Sequence, residues 1–447
     1  MAYDQLPELL ALDAGDAGVR IPPDLTVPVT PRVRALLDLP ELRRLTRISQ
    51  LGLVALVYPG AVHSRFEHSL GVYRLALEFL KRLRGDPRFA AAVGEHDAAA
   101  FVVAALVHDV GHWAFCHPLE DMGLAGLPRH ESLVHGLLVD GEAGRVLEQH
   151  WHIDPARVAA LVNGTAADTA GLLLHSLLSG PIDVDKMDYL ARDSLHAGVP
   201  YGRHFDQERL LSSLCLDADG TSLAITEKGR TAAELMVFAR YVMFSEVYWH
   251  HAVRAATAML QRGVWIVRDA IDPARLTRFD DQEFIDWFSH AAEGTAAAPL
   301  VAGLFGTTRR LVKRIATFDS LHQPAIHRAL AGRSHAENVE LSRRLAERLS
   351  RRIGHTVAWE TLLIDAPPPE REVEFRLQVR ERAGRGKAPA SPCWRPLAEL
   401  SPVVRSLAHD QFDNIVKRVR LFAPAEVAET LASCDDLDAT VLEIATK

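Results

Sequence analysis

The sequence predicts a mainly helical protein with a smaller mixed α/β part toward its C-terminus, and three observations carry that expectation. Apolar residues recur at three- and four-residue steps through 34–57, 66–83, 98–110, 130–147, 155–163, 208–216, 230–271 and 338–353, the spacing of one helix face. Pro and Gly fall between these runs, as at Tyr58-Pro59-Gly60, Gly180-Pro181 and Gly198-Val199-Pro200, where they punctuate the chain. Beyond about residue 355 the pattern changes. Thr356–Ile364 and Glu372–Val379 alternate like strands around Asp365-Ala366-Pro367-Pro368-Pro369, and the basic stretch Arg380–Pro392 reads as a surface loop. The expected layout is an N-terminal segment over 1–30, a helical core over 31–275, and a helical then mixed α/β lobe over 276–447.

Composition narrows the function classes. With 447 residues, 48% of them apolar and 24% charged, the chain can bury a large core as one domain or two lobes. Its 50 Lys+Arg against 58 Asp+Glu give a net charge of −8. That balance argues against holding nucleic acid by bulk charge, while leaving room for a local basic groove. Cys116, Cys215, Cys393 and Cys434 lie far apart, which excludes a disulfide framework or a zinc ribbon and fits a reducing compartment. Acidic residues stand where a secretory leader would be basic. The longest apolar run, Ala98–Val107, is about half the ~18 residues a membrane-spanning helix needs. A cytoplasmic protein without a membrane segment is expected.

Of the 21 histidines, eight fall between His63 and His135. Neutral imidazole beside carboxylate suits a first-row divalent metal, so the question is which of them share buried elements with Asp or Glu. Ala98–Val107 is apolar all round and predicts a buried helix that runs into His108-Asp109, with Gly111 as its stop. An ionised Asp at the end of a buried helix is costly unless a cation compensates it, and the helix dipole disfavours it further; the alternative is an Asp that reaches solvent. His112 follows His108 by four residues and shares its face if the turn persists.

Two other segments bear on the same chemistry. Ser64 and Glu67 have capping-box spacing, which starts a helix at Arg65 and puts His68 on its first turn. Arg65 at that positive end could meet a phosphate, or could simply be a surface Arg beside a half-exposed His68. In Ile182–Asp193, four Asp alternate with apolar residues and two bases. If the segment is helical, Asp185, Asp188 and Tyr189 share a face flanked by Lys186 and Asp193, and the apolar content buries part of it.

Together the order His68 … His108-Asp109 … Asp185 resembles the pattern of the HD-domain metal-dependent phosphohydrolases. The words YPGAVHSRFEHSLGVYRLA, ALVHDVGHWAFCH, RHESLV and IDVDKMDYLARD resemble its deoxynucleoside triphosphate triphosphohydrolases, over about Ala35 to Leu260. The resemblance implies an HD-domain helical core that binds one divalent ion, Mn, Fe, Mg or Co, through His68, His108, Asp109 and Asp185. It implies catalytic roles for His112 and His130, with Glu120 supporting the first. It further implies phosphate contacts from Arg65, Lys186, Tyr189 and Arg240, sugar-side contacts from Asp193 and Tyr248, and reading of the deoxyribose by Gln50 and Leu51. The DPxHG word of nucleotide-regulated members is absent, since 20–28 reads RIPPDLTVP, and no regulatory nucleotide site is carried over.

The implied reaction is attack of water at the α-phosphorus of a deoxynucleoside triphosphate, releasing deoxynucleoside and inorganic triphosphate, with a histidine protonating the leaving 5′-oxygen. His112, oriented by Glu120, is the favoured acid–base group, with His130 beside the leaving oxygen. The runner-up is an HD phosphohydrolase acting on a nucleoside monophosphate, an oligonucleotide end or a signalling nucleotide; a nucleotide-sensing module is the non-enzymatic alternative. Homo-oligomeric assembly is implied by the resemblance, and weak binding of single-stranded nucleic acid is compatible with it.

Overall fold

Helices dominate, and their ends follow local chemistry. The computed structural model describes residues 3–15, 18–367, 376–381, 393–408 and 416–447. Ser64 accepts the Glu67 backbone N–H at 3.3 Å and opens the helix Arg65–Leu83 as expected. The reciprocal arm of a capping box is not used. Glu67 Oε1 instead accepts from Arg192 at 2.7 Å and lies 2.9 Å from His196 Nε2. The helix Glu95–Val107 is buried on every side from Ala98 onward, as its composition demands. Asp183 caps the helix Val184–His196 by accepting the Lys186 N–H at 2.6 Å.

Several periodic runs break where the backbone requires it. The run 34–57 becomes the helices Pro31–Leu37 and Pro40–Arg44 followed by the tight turns Leu45–Arg47 and Gly52–Leu56. Pro40 forbids a continuous helix, and Gly52 adopts a positive φ of 49°. The run 98–110 stops at Val107, 130–147 divides after Val139, and 208–216 ends as the strand Leu214–Leu216. The run 230–271 splits at Trp249 and His250 into Arg230–Met243, extended by Phe244–Tyr248, and His251–Ile266.

Among the described residues the strands form three small sheets. Gly18–Ile21 and Leu25–Pro28 make an antiparallel hairpin. A four-stranded sheet runs Leu214–Leu216, Leu223–Thr226, Gln378–Glu381, Cys393–Pro396, with its central pair parallel. In the third sheet Val419–Ala423 lies between Lys313–Phe318 and Leu363–Asp365. The expected strand Thr356–Ile364 is thus confined to Leu363–Asp365, and Asp365 joins it rather than the linker. Arg380 and Glu381 belong to a strand rather than a loop, while 368–375 and 382–392 lie outside the described residues.

Among the described residues three large hydrophobic cores organise these elements. The first gathers Arg65–Leu83, Glu95–Val107 and Val184–His196, together with Leu377, Val379, Leu397 and Val404 from the far end of the chain. A second joins Trp113, Ala114, Cys116 and Leu119 to residues 255–304, and the third holds the C-terminal lobe. The connection 108–116, which carries His108, Asp109 and His112, therefore leaves one core and enters the next. We propose the segment 31–275 as the catalytic unit. No helix among the described residues is long and apolar enough to cross a membrane.

Candidate metal centre and histidine cluster

Four of the expected ligands converge from three elements. His68, on the first turn of Arg65–Leu83, is 1% exposed, which removes the half-exposed alternative. Its Nδ1 lies 2.8 Å from Asp188 Oδ2, and its Nε2 lies 3.0 Å from Asp185 Oδ1 and 3.3 Å from His108 Nε2. His108 directs Nδ1 to the Ala105 carbonyl at 2.9 Å. Asp109 Oδ1 is 3.4 Å from His108 Nε2. Ligand atoms of His68, His108 and Asp185 all lie within 4.8 Å of one another.

This donor set fits a divalent cation on its own chemistry. Both Nδ1 atoms face oxygen, and with the ring protons there two Nε2 lone pairs would meet across 3.3 Å with carboxylate oxygens beside them. Such an array is repulsive unless a proton or a cation lies within it. Octahedral ligands at ~2.1 Å stand about 3 Å apart, close to the separations found here. Burial works against protonating His68, but the hydrogen bonds to Asp185 and Asp188 outweigh it and push the ring up to about 10. Positive charge is what this point favours.

Behind His68 stands a second layer that sequence reading placed only in part. Arg192 forks onto Asp188, with Nε to Oδ2 at 2.8 Å and Nη2 to Oδ1 at 2.7 Å, and reaches Glu67 with Nη1. A carboxylate on the far nitrogen of a ligand His fixes its tautomer and orientation. Gly71 is required here: a Cβ would come within 2.0 Å of Asp188 Oδ1.

Arg65 is buried rather than exposed, and its Nη1 donates to Asp109 Oδ2 at 2.8 Å. Burial pushes the Asp109 carboxyl up, yet His112, His108 and Arg65 hold it well below the usual range.

A cluster of imidazoles adjoins the ligands. Asp109 Oδ1 is 3.2 Å from His112 Nδ1, so one oxygen links His108 and His112. The rings of His112 and His130 are 3.8 Å apart. Gly111 makes this approach possible, since a Cβ there would fall 2.2 Å from the His130 carbonyl; the helix stop itself comes earlier. Burial and Arg65 hold His112 well below its ordinary range, hence neutral.

Glu120 corrects one expectation. It supports His130, not His112, accepting the His130 backbone N–H at 2.6 Å and lying 3.0 Å from its Nδ1. Its other neighbour is His117, whose Nδ1 is 3.7 Å from Oε2. Although burial pushes Glu120 up, its bonds to these two histidines hold it well below the usual carboxylate range. His117 was missed from sequence. Its Nε2 lies 3.2 Å from His112 Nε2, while its side chain is 58% exposed. The available signal was Glu120 three residues on, one helical step away.

The remaining candidates lie on neighbouring elements. The segment Ile48–Gln50 runs beside His63–Arg65 through hydrogen bonds of 2.9 Å, which places Gln50 next to the first turn carrying His68. Gln50 Oε1 is buried without a hydrogen-bond partner, and Leu51 packs on the first core. Lys186 Nζ donates to Asp183 at 2.6 Å. Tyr189 feels the charges of Arg240 and Lys186. Both Asp193 oxygens are engaged, Oδ1 with His63 Nε2 at 2.9 Å and Oδ2 by the Tyr248 hydroxyl at 2.6 Å. Asp193 is buried and holds Tyr248 rather than facing an open pocket. A basic cleft of about 1190 Å³ lined by Arg309, Arg310, Lys313 and Arg314 includes none of these residues.

Comparison with known proteins agrees with this geometry. Residues 65–193 match the HD domain, and residues 205–446, more than half of the chain, match the HD associated region. The chain belongs to the HD-domain phosphohydrolase family. Within it, the YwfO protein of Bacillus subtilis is 36% identical over 224 residues, 50% of this chain and 49% of its own length. The deoxynucleoside triphosphate triphosphohydrolase SAMHD1 of Gallus gallus is 28% identical over 256 residues, 50% of this chain and 41% of its own. The chain thus spans about half, or less, of the length of these curated relatives. A solved HD-fold structure, a phosphohydrolase of Bacteroides thetaiotaomicron, superposes with a TM-score of 0.67 at 21% identity, covering 92% of this chain and 100% of that one.

Proposed function

We propose that this HD-domain chain hydrolyses deoxynucleoside triphosphates at the α-phosphorus, releasing deoxynucleoside and inorganic triphosphate. The observation that carries the hydrolytic part is Asp109, whose Oδ1 stands between His108 Nε2 at 3.4 Å and His112 Nδ1 at 3.2 Å. It joins a set of ligands to a set of proton-carrying imidazoles. The triphosphate part is supported by relatives named as deoxynucleoside triphosphate triphosphohydrolases.

The chemistry supplied by a divalent ion held by His68, His108, Asp109 and Asp185 is Lewis-acid polarisation of a phosphate oxygen and neutralisation of phosphate charge. The side chains do the rest. Lys186 and Arg240 meet the remaining phosphate charge, with Tyr189 between them. Gln50 Oε1, a buried acceptor without a partner, suits a sugar hydroxyl. Tyr248, fixed by Asp193, presents its ring toward the sugar.

Attack of water on phosphorus expels the 5′-oxygen, which must take a proton. Burial and Arg65 disfavour an imidazolium at His112, so the donor is assigned to a more exposed ring. His117, exposed and backed by Glu120, is placed to deliver that proton, with the carboxylate stabilising its imidazolium. His130 shares the same carboxylate, and His112 is the relay within reach of His117 Nε2. Arg65, whose Nη1 donates to Asp109, orients a ligand beside its implied phosphate role. Homo-oligomeric assembly rests on the family resemblance alone, and light scattering decides it.

The test is product analysis. Protein stripped of metal and resupplied with Mn, Mg or Co is incubated with each dNTP and NTP, with His108→Ala as control. Deoxynucleoside plus triphosphate from the intact protein alone supports the reading. Turnover of a phosphomonoester or single-stranded DNA, with every triphosphate left intact, would sink it.

A further inference from the structure

The imidazoles around Glu120 form, with Cys116, a second donor set that shares no residue with His68, His108, Asp109 and Asp185. One ligand atom from each of His112, Cys116, His117 and His130 lies within 4.8 Å of the other three. His112 Nε2 and His117 Nε2 are already 3.2 Å apart. A tetrahedral ion with nitrogen ligands at ~2.0–2.1 Å sets neighbouring ligand atoms about 3.3 Å apart, so this pair forms one edge of such a site.

The groups behind the rings decide which nitrogens face inward. His112 Nδ1 lies 3.3 Å from the Asp109 carbonyl and 3.2 Å from its Oδ1. His130 Nδ1 lies 3.0 Å from Glu120 Oε1, and His117 Nδ1 lies 3.7 Å from Oε2. The Nδ1 atoms of His112 and His130 lie within hydrogen-bond distance of oxygen, and the tautomer protonated there leaves Nε2 with a lone pair. That is the outer-shell arrangement metal-binding histidines use. Glu131 approaches His130 Nε2 at 3.5 Å from the surface, where its exposed side chain can swing aside.

Cys116 completes the set with a soft donor. Its thiol is buried, and burial pushes it up to about 12, but Arg65 places a compensating positive charge beside it. A cation that displaces the thiol proton converts it to a thiolate ligand. Access comes from the side of His117, the one exposed member.

We propose that His112, Cys116, His117 and His130 form an inhibitory zinc site, in which Zn²⁺ captures the imidazoles that hydrolysis requires and releases one proton from Cys116. Three imidazoles and a thiolate are zinc's ligand chemistry, whereas Mg and Mn take oxygen-rich sets, so the sulfur marks this donor set as one for zinc rather than for Mg or Mn. The binding stands on this donor set alone; only its inhibitory consequence rests on the proposed hydrolysis.

Cobalt(II) in place of zinc tests it on the full chain, with Mn supplied first to the other donor set. That other set contains no sulfur, so a thiolate-to-cobalt charge-transfer band that Cys116→Ser removes reports this site. The band is expected in the intact protein, bleached by zinc and absent in Cys116→Ser. The exposed-position variant His117→Gln weakens the same band. Loss of an outer-shell partner alone costs 10–100-fold in metal affinity. Cys116→Ser is therefore expected to raise the zinc concentration for half-inhibition by more than about tenfold, measured against its own zinc-free rate. No thiolate band in folded intact protein would overturn the site, and undiminished turnover with the band bleached by zinc would overturn the inhibition. The band needs no substrate, so failure of the proposed reaction is read separately.

Discussion

The His68–His108–Asp109–Asp185 cluster and the Arg254–Asp365–Arg420 cluster are both buried arrays of charge, and they differ in how their charges close. In the second, Arg254 donates to Asp365 Oδ1 at 2.5 Å and lies 4.5 Å over the Trp249 ring. Arg420 donates to the Trp249 carbonyl at 2.8 Å and stands 3.7 Å from Asp365 Oδ2. Positive meets negative, and the cluster ties the strand Leu363–Asp365 to the helix His251–Ile266. In the first, two imidazole lone pairs and carboxylate oxygens converge on one another. Folding alone gives no reason to bury such a set, because unpaired acceptors cost free energy. The comparison separates a scaffold, whose charges pair with one another, from a donor set that could hold a cation.

The sharpest way to break that distinction is at the ligands. His108→Ala or Asp109→Asn is expected to lose bound metal and to lower turnover about a thousandfold or more, as loss of several kcal/mol of charge stabilisation implies. Metal analysis beside product assays checks both halves, and full activity in metal-free protein would end the reading. In the scaffold, Asp365→Ala leaves Arg254 and Arg420 without their carboxylate. A loss of about 3–5 kcal/mol of unfolding free energy is expected by denaturant titration, with metal content retained.

Between these extremes lies Glu120, which touches no expected ligand. Glu120→Gln is expected to keep the metal and slow turnover about a hundredfold, since it removes the charge behind His117 and His130. Unchanged turnover would take the proton-delivery role away from that pair.

The smallest effect belongs to His335 in the C-terminal lobe, its ring tilted 57° to that of Trp265 at 5.5 Å. Burial and then Arg262 lower it from 6.5 to about 3. Above pH 6.5 the ring is neutral in both states. Between 6.5 and 3 the unfolded chain takes up a proton that the folded one refuses, so stability falls as pH drops through that window. By pH 5 the loss is about 2 kcal/mol, and His335→Gln should flatten that part of a stability–pH profile. An unchanged profile would show that the ring titrates normally.

Much of the site was legible because its residues stand in short segments with one secondary structure each. Ser64 and Asp183 announce the helices that carry His68 and Asp185. The apolar helix Glu95–Val107 carries Asp109, just beyond its end, into the interior. What failed was pairing across segments. Glu120 bonds His130, ten residues away, because the turn from Gly111 to Phe115 and the approach of the His130 helix fix its direction. Arg65 reads as a phosphate ligand on helix geometry, but its guanidinium folds back onto Asp109. Asp193 reads as a sugar-side residue, and its direct partners are His63 and Tyr248.

The sequence by itself determined the helical class, the burial of the His108 helix and the identity of the ligand types, because periodicity, capping and composition act over a few residues. Only the tertiary structure decided which carboxylate orients which imidazole, that His117 and Cys116 join the cluster, and that strands from residues 214–226 and 378–396 share one sheet. Those are contacts between distant segments, and their partners are selected by how cores pack against one another rather than by any local preference of the chain.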